Sequence, residues 1–212
     1  MVSLADKVFE QLEQDILSEH FSPGQILTEG KISAALGVSR TPVREAVRRL
    51  EQAGLLKESG KGMIVVGVSR EDLRDIYEIR RRLEGLAARH ATESKNEELL
   101  DKLKEVVELQ EFYTTKGDAA HIQALDSRFH KIIYERCGSV LRDTLSSLHH
   151  RIQRHRKDSV TDLKRARNAA AEHRAIYEAI ADGESKLAEE LTVTHICNAY
   201  ENITKKENSL WD

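Results

Sequence analysis

Proline is missing from the last 170 residues of this 212-residue chain, since its two prolines lie at positions 23 and 42. Proline interrupts helices more strongly than any other residue, so this region can form long uninterrupted helices. Apolar residues recur in it three and four positions apart, the spacing of one helix face. Glycine-containing breaks at 116–118, 137–139 and 182–183 separate the segments. The pattern predicts an all-α bundle of six helices, at about 70–92, 95–116, 119–136, 140–158, 162–181 and 184–205.

The stretch 36–50, LGVSRTPVREAVRRL, predicts the turn and second helix of a helix-turn-helix. Gly37 suits the turn, Ser39 is the predicted N-cap, and Pro42 falls in the first helical turn, where its missing N–H costs nothing. A helix that presents arginine from its N-terminal turns can enter a major groove and pair with guanine. The alternative is a solvated basic helix in an ordinary bundle. The polar face carries Arg40, Thr41, Arg44, Arg48 and Arg49.

The residues around this stretch complete a winged domain over 1–68. Helices are predicted at 4–20 and 28–36, the second capped by Thr28. Two apolar runs, 55–56 and 63–66, flank a Gly-rich turn at 59–62, which predicts a β-hairpin. A hairpin directly after a recognition helix is a wing, and Lys61 at its tip is placed to reach backbone phosphate. The predicted fold is mainly α, a winged helix-turn-helix followed by an all-α bundle.

Charge and cysteine usage narrow the class of protein. The net charge of −3 excludes a nonspecific polycation, yet residues 31–61 hold 7 basic and 3 acidic residues, a local charge of +4 on the predicted DNA face. Cys137 and Cys197 form no CxxC pattern, which predicts reduced thiols. No apolar run has the length of a membrane span and no signal peptide is evident, so we expect a soluble, cytoplasmic protein without a membrane partner.

The string LTEGKISAALGVSRTPVREAVRRLEQAGLL, residues 27–56, resembles the winged-helix domain of GntR-type bacterial transcription regulators. The resemblance implies that Arg40 and Arg44 read bases, while Ser39, Thr41 and the wing hold phosphate. Arg48 lies on the same predicted face and is expected to contact DNA.

One position departs from the family pattern. Gly30 stands where the family usually has arginine after the glutamate that begins the second helix. The next residue, Lys31, is expected to supply part of the missing DNA contact.

The predicted bundle contains a possible metal-ligand set. Asp126 and His130 are four residues apart and share one helix face, and His173 and His195 lie beside apolar positions on two later helices. If these groups converge, they form a nitrogen-rich site for a divalent metal, with zinc as the first candidate and nickel or manganese as alternatives. From spacing alone, hydrogen-bonded core histidines are the more common explanation of such a pattern.

Residues 76–200 resemble the FCD effector-binding domain of the FadR branch of GntR regulators. That domain binds its metal through an Asp-x3-His motif and two later histidines, which are found here in LDSRFH, AEHRAIYEAI and VTHICNAY. The resemblance therefore implies Asp126, His130, His173 and His195 as ligands, a small organic acid as effector, and a homodimer. Arg80 lies on an apolar stripe and is the predicted effector partner. The alternative for Arg80 is an internal salt bridge to Glu84.

These inferences predict a ligand-responsive transcription regulator, a repressor that binds a short palindromic operator as a dimer. The expected organisation is a DNA-binding domain at 1–68, a joint at 69–75, an effector-binding and dimerisation domain at 76–205, and a tail at 206–212. A metal sensor is one alternative. A metal-dependent hydrolase is disfavoured, since four side-chain ligands fill a tetrahedral site and leave no open position for water.

Overall fold

The structure is a computed structural model, and it describes residues 3–17, 20–66, 68, 70–152 and 162–209. The chain divides into two compact units, residues 1–69 and 70–212. Among the described residues, every helix is too short or too polar to cross a membrane.

The described part of the first unit contains three helices and a small antiparallel sheet. The elements are α1 Leu4–Leu17, β1 Ile26–Leu27, α2 Glu29–Leu36, α3 Arg40–Gln52, β2 Leu56–Ser59 and β3 Gly62–Val65. The sheet has the strand order β1-β3-β2, with Leu27 opposite Met63 and Lys57 opposite Ile64. The hairpin of β2 and β3 is the predicted wing, and β1 adds a third strand to it.

Local signals in the sequence set the helix-turn-helix. The Thr28 side chain accepts a hydrogen bond from the backbone N–H of Lys31, which caps α2. Gly37 ends that helix with φ of 64°, a left-handed conformation that favours glycine. Helix α3 packs on α1 and α2. The core of the unit is apolar and includes Val8, Leu12, Val43, Ala46, Leu50, Leu56 and Val65.

The second unit is a bundle of six helices among the described residues, as predicted, and the mainly α fold class is confirmed. Asn96, Asp118 and Asp162 cap three of these helices through side-chain hydrogen bonds, and Gly117 and Gly183 end two of them in the left-handed region. The helices are α4 Arg70–Glu93, α5 Glu97–Lys116, α6 Ala119–Tyr134, α7 Ser139–Arg151, α8 Leu163–Asp182 and α9 Ser185–Ser209.

Some predicted boundaries fall elsewhere. The joint expected at 69–75 lies mostly in the first turns of α4, which begins at Arg70. The stretches in which the helices predicted at 4–20 and 140–158 would end include residues 18–19 and 153–161, which lie outside the described part of the chain, as do the last three residues of the tail.

Helix α4 packs most extensively on α9, and Gly85 lies in this contact. A Cβ atom on Gly85 would lie 2.9 Å from Cγ2 of Val193 and 3.4 Å from the backbone oxygen of Glu189. Only a residue without a side chain fits this contact, so Gly85 fixes the separation of two helices that both carry residues of the site described below.

We expect Gly85→Leu to destabilise the second unit by about 1–2 kcal/mol, because overpacking outweighs the helix propensity that leucine adds. The measurement is calorimetric unfolding. Gly138→Leu is the matched control, since a Cβ there meets no atom within 4 Å. An unfolding temperature of Gly85→Leu equal to that of the wild type would contradict the close contact.

Candidate metal centre and DNA-binding surface

Four predicted ligands meet inside the bundle. Asp126 and His130 project from α6, His173 from α8 and His195 from α9. Each offers one ligand atom, and these atoms all lie within 4.8 Å of one another. All four residues are buried, with at most 6% of their surface exposed. The structure thus brings together the residues that the sequence pattern grouped.

Each imidazole of this cluster contacts an oxygen atom of another side chain. The contact is made by Nδ1 in every case, so Nδ1 carries the proton and Nε2 carries the lone pair. The acceptors lie on three different helices, α4, α5 and α8. The pairs are His130 with Glu84 (2.8 Å), His173 with Gln110 (2.7 Å) and His195 with Glu172 (2.6 Å).

This arrangement fits a cation. Nε2 of His173 lies 3.3 Å from Nε2 of His195 and 3.8 Å from Oδ1 of Asp126. With both Nδ1 atoms protonated, the two Nε2 lone pairs face each other across a space shared with a carboxylate. A positive charge between them converts this repulsion into attraction. Three imidazole nitrogens and one carboxylate oxygen are also the ligand types that zinc takes in proteins.

The carboxylate of Glu172 contacts three side chains, those of Arg165, His195 and Asn198. Its two oxygens accept hydrogen bonds from Arg165 at 2.8 Å each, and Asn198 donates a further one at 2.8 Å. Burial alone would raise the pKa of Glu172, but the hydrogen bonds from His195 and Arg165 outweigh it and lower the pKa to about 2. Glu172 is therefore a fixed anion that orients His195.

Arg80 forms the internal salt bridge that was the alternative to an effector contact. Its Nε donates to Oε1 of Glu84 at 2.5 Å, and Oε2 of the same carboxylate faces Nδ1 of His130. Burial would lower the pKa of Arg80, yet the charge of Glu84 outweighs it and keeps the pKa above its ordinary value. The Arg80 guanidinium is therefore already paired and does not require an anionic ligand, and an effector role for Arg80 stays a prediction.

A cleft of about 300 Å³ lies between α6 and α7 beside the cluster. The ring of His149, which lines it, is 5.6 Å from the ring of His130, and its Nε2 is 3.5 Å from Oγ of Ser127. The lining residues are Ser127, Lys131, Tyr134, Ser146, His149 and His150.

Two further residues of the site were missed. Gln110 is fully buried and continues the apolar spacing of Val106 and Val107, so a polar residue in a core position was the available signal. Glu172 directly precedes His173 and carried no separate signal in the sequence. Cys137 is buried and Cys197 is half-buried, and both are free thiols outside the four-ligand cluster.

The predicted DNA-binding residues lie on exposed surface of the first unit. Arg44 has 70% of its side chain exposed and makes a salt bridge with Glu29 at 3.2 Å. Ser39 is the N-cap residue of α3 by position, but among the described residues its side chain makes no capping hydrogen bond. The exposed residues are Lys31 on α2, Ser39, Arg40, Thr41, Arg44 and Arg48 on α3 or its cap, and Lys61 between β2 and β3. Direct contact with DNA remains a prediction for each of these seven residues.

Arg49, which the helical spacing placed on the polar face, has a structural role instead. Its Nη1 donates to Oδ1 of Asp6 on α1 at 2.8 Å, and its guanidinium lies 4.2 Å from the ring centroid of Phe9. The side chain therefore ties α3 to α1. The polar face of α3 that points away from the core is therefore narrower than predicted, because Arg49 is not part of it.

We expect Glu172→Gln to weaken zinc binding by about 10–100-fold, because the neutral amide orients His195 less strongly than the carboxylate does. The measurement is a zinc titration against a chromophoric chelator, with folding checked by circular dichroism. Glu93→Gln is the control for loss of a carboxylate charge, since Glu93 makes an exposed salt bridge with Arg89 in the last turns of α4. Equal zinc affinity in the two variants would contradict the orienting role.

Comparison with known proteins identifies both units. Residues 4–66 match the family of bacterial regulatory proteins called the gntR family, and residues 75–198 match the FCD domain. The uncharacterized HTH-type transcriptional regulator YdhC of Bacillus subtilis is 29% identical over 198 residues, or 92% of this chain and 88% of that protein. The HTH-type transcriptional repressor RspR of Escherichia coli is 25% identical over 209 residues, or 97% and 92%.

Solved structures give the same fold. Escherichia coli McbR/YncC superposes with a TM-score of 0.82 at 23% identity, covering 98% of this chain and 100% of that one. The matched families and relatives are transcription regulators, which confirms that this protein is not an enzyme. The chain belongs to the GntR family of transcription regulators, with an N-terminal helix-turn-helix domain that binds DNA and a C-terminal FCD domain.

Proposed function

We propose that this protein is a repressor that binds a short palindromic operator as a homodimer and responds to a small organic acid. A divalent metal, zinc first and nickel or manganese otherwise, is held by the buried cluster of the FCD domain. The metal ligands are Asp126, His130, His173 and His195.

The observation that carries the metal proposal is the shared orientation of the three imidazoles. All three present Nδ1 to an acceptor, which directs Nε2 toward the interior of the cluster. A set of unrelated core histidines has no reason to share one orientation. The bound metal supplies a positive charge that attracts a carboxylate, and expansion of its coordination beyond the four side-chain ligands lets it accept one.

The cleft beside the cluster supports the choice of a small acid. A volume of about 300 Å³ is at the lower end of the range for small-molecule sites. Lys131 contributes a positive charge at its rim, and Ser127 and His149 contribute hydrogen-bonding groups. These groups fit a compact, polar, negatively charged ligand. In this proposal Arg80 acts through Glu84 on His130 rather than through direct contact with the acid.

Dimeric binding to a palindrome follows from the helix-turn-helix. One recognition helix reads only a few base pairs, and two copies related by a two-fold axis double the recognised length. The homology to the repressor RspR supports repression as the regulatory sense.

A metal sensor is the alternative that the geometry favours less. A sensor must exchange its metal with the surroundings, whereas all four ligands here are at least 94% buried. Burial of this degree favours a retained metal that serves as a binding platform for an acid.

The test measures operator affinity with and without acids, in the wild type and in an Asp126→Ala, His195→Ala variant, with metal content determined by elemental analysis. We expect about one metal per chain in the wild type and none in the variant. A panel of small mono-, di- and hydroxycarboxylic acids should include one that weakens operator binding of the wild type by about 5-fold or more, and the folded variant should not respond.

Two results would contradict the proposal. Absence of metal from the wild type after loading with zinc, nickel or manganese removes the metal site. An acid that binds equally well to free and operator-bound protein removes the regulatory coupling, since linkage requires a difference in affinity. Loss of operator binding on removal of the metal alone would favour the metal sensor.

A further inference from the structure

The first turn of α2 lies against two arginines of the recognition helix. Glu29 is the first residue of α2, and its backbone position is fixed on both sides. Leu27, two residues before it, is buried and pairs with Met63 in the sheet. The Thr28 side chain caps the helix by accepting a hydrogen bond from the N–H of Lys31. Glu29 therefore projects from a rigid base toward α3.

Glu29 holds one defined edge of the Arg44 guanidinium. Nε of Arg44 donates to Oε1 of Glu29 and Nη2 donates to Oε2, each at 3.2 Å. A guanidinium has a side edge, formed by Nε and one Nη, and an end edge, formed by the two Nη atoms. The salt bridge takes the side edge, which includes one N–H of Nη2. The end edge is formed by the other N–H of Nη2 together with Nη1, and Glu29 does not occupy it. Two parallel N–H groups of that kind match O6 and N7 of guanine.

The neighbouring position, Gly30, lies against the other arginine. A Cβ atom on Gly30 would be 3.6 Å from Nη2 of Arg40, an ordinary contact distance, so a methyl group fits there and a longer side chain meets the guanidinium. Arg40 and Arg44 are four residues apart on α3 and therefore neighbours on one helix face. Adjacent residues of α2 thus constrain two adjacent arginines of the recognition helix.

We infer that the first turn of α2 sets the base preference of the recognition helix. Glu29 is a positioning residue that presents the end edge of Arg44 to guanine, and Gly30 leaves the space that Arg40 occupies beside it. The charge of Glu29 opposes DNA binding, because a carboxylate near DNA repels phosphate. Its removal should therefore raise nonspecific affinity while it lowers sequence preference, a combination that loss of structure cannot produce.

The test selects binding sequences from a randomised double-stranded DNA pool with the full-length protein. The wild type defines the preferred motif, and Arg44→Gln identifies the position that Arg44 reads. We expect Glu29→Gln to reduce the preference for guanine at that same position by about tenfold and to leave the other positions unchanged. In the Arg44→Gln background, Glu29→Gln should have no further effect there, since the residue acts through Arg44.

Control variants test the charge of Glu29 and the space beside Gly30 separately. Glu51→Gln makes the same charge change on an exposed residue near the far end of α3, and its motif should equal that of the wild type. Gly30→Leu should change the preference at the position that Arg40→Gln identifies. Circular dichroism and affinity for a random duplex show that each variant is folded and binds DNA.

The outcomes separate this inference from the proposed function. If the wild type enriches no motif, sequence-specific binding itself fails. If the motif depends on Arg44 but Glu29→Gln leaves it unchanged, or changes it no more than Glu51→Gln does, the positioning role of Glu29 is wrong. If Gly30→Leu keeps the wild-type preference at the Arg40 position, the spatial role of Gly30 is wrong.

Discussion

The metal cluster depends on one constraint, that three imidazoles from three helices must present the same nitrogen to the same point. The protein meets this constraint with a buried acceptor behind each ring rather than with the ligands alone. Glu84, Gln110 and Glu172 come from α4, α5 and α8, so five of the six helices of the bundle contribute to the site. Close packing of α9 on α4 at Gly85 belongs to the same construction, because each of these helices carries part of it.

Buried and exposed arginines have different roles in this chain. Arg80 and Arg165 are at least 92% buried and are matched by carboxylates that also contact histidines of the candidate metal cluster, so removal of either carboxylate would leave a buried, uncompensated charge. Arg44 is exposed, and its salt bridge with Glu29 orients the group without hiding it. The buried pairs fix the positions of the histidines that they contact, whereas the exposed pair leaves the Arg44 guanidinium accessible.

Much of the architecture follows from local signals that are visible in the sequence. Helical spacing, the caps at Thr28 and Gly37, and the turn at 59–62 predict the elements to within a few residues, and the ligand set follows from a recognisable motif. The rest depends on tertiary contacts. The role of Arg49 is decided by Asp6, which is 43 residues away. Gln110 faces His173 across 63 residues, and no periodicity encodes that pairing.

The most direct test of the metal centre is X-ray absorption at the zinc edge of the zinc-loaded protein. We expect nitrogen and oxygen as the nearest neighbours of zinc, with the outer scattering of three imidazoles, and loss of one imidazole contribution in a folded His195→Ala variant. A sulfur shell would mean that Cys137 or Cys197 binds the metal instead, and a spectrum without imidazole scattering would mean that the buried cluster does not hold it. Either result would contradict the central claim.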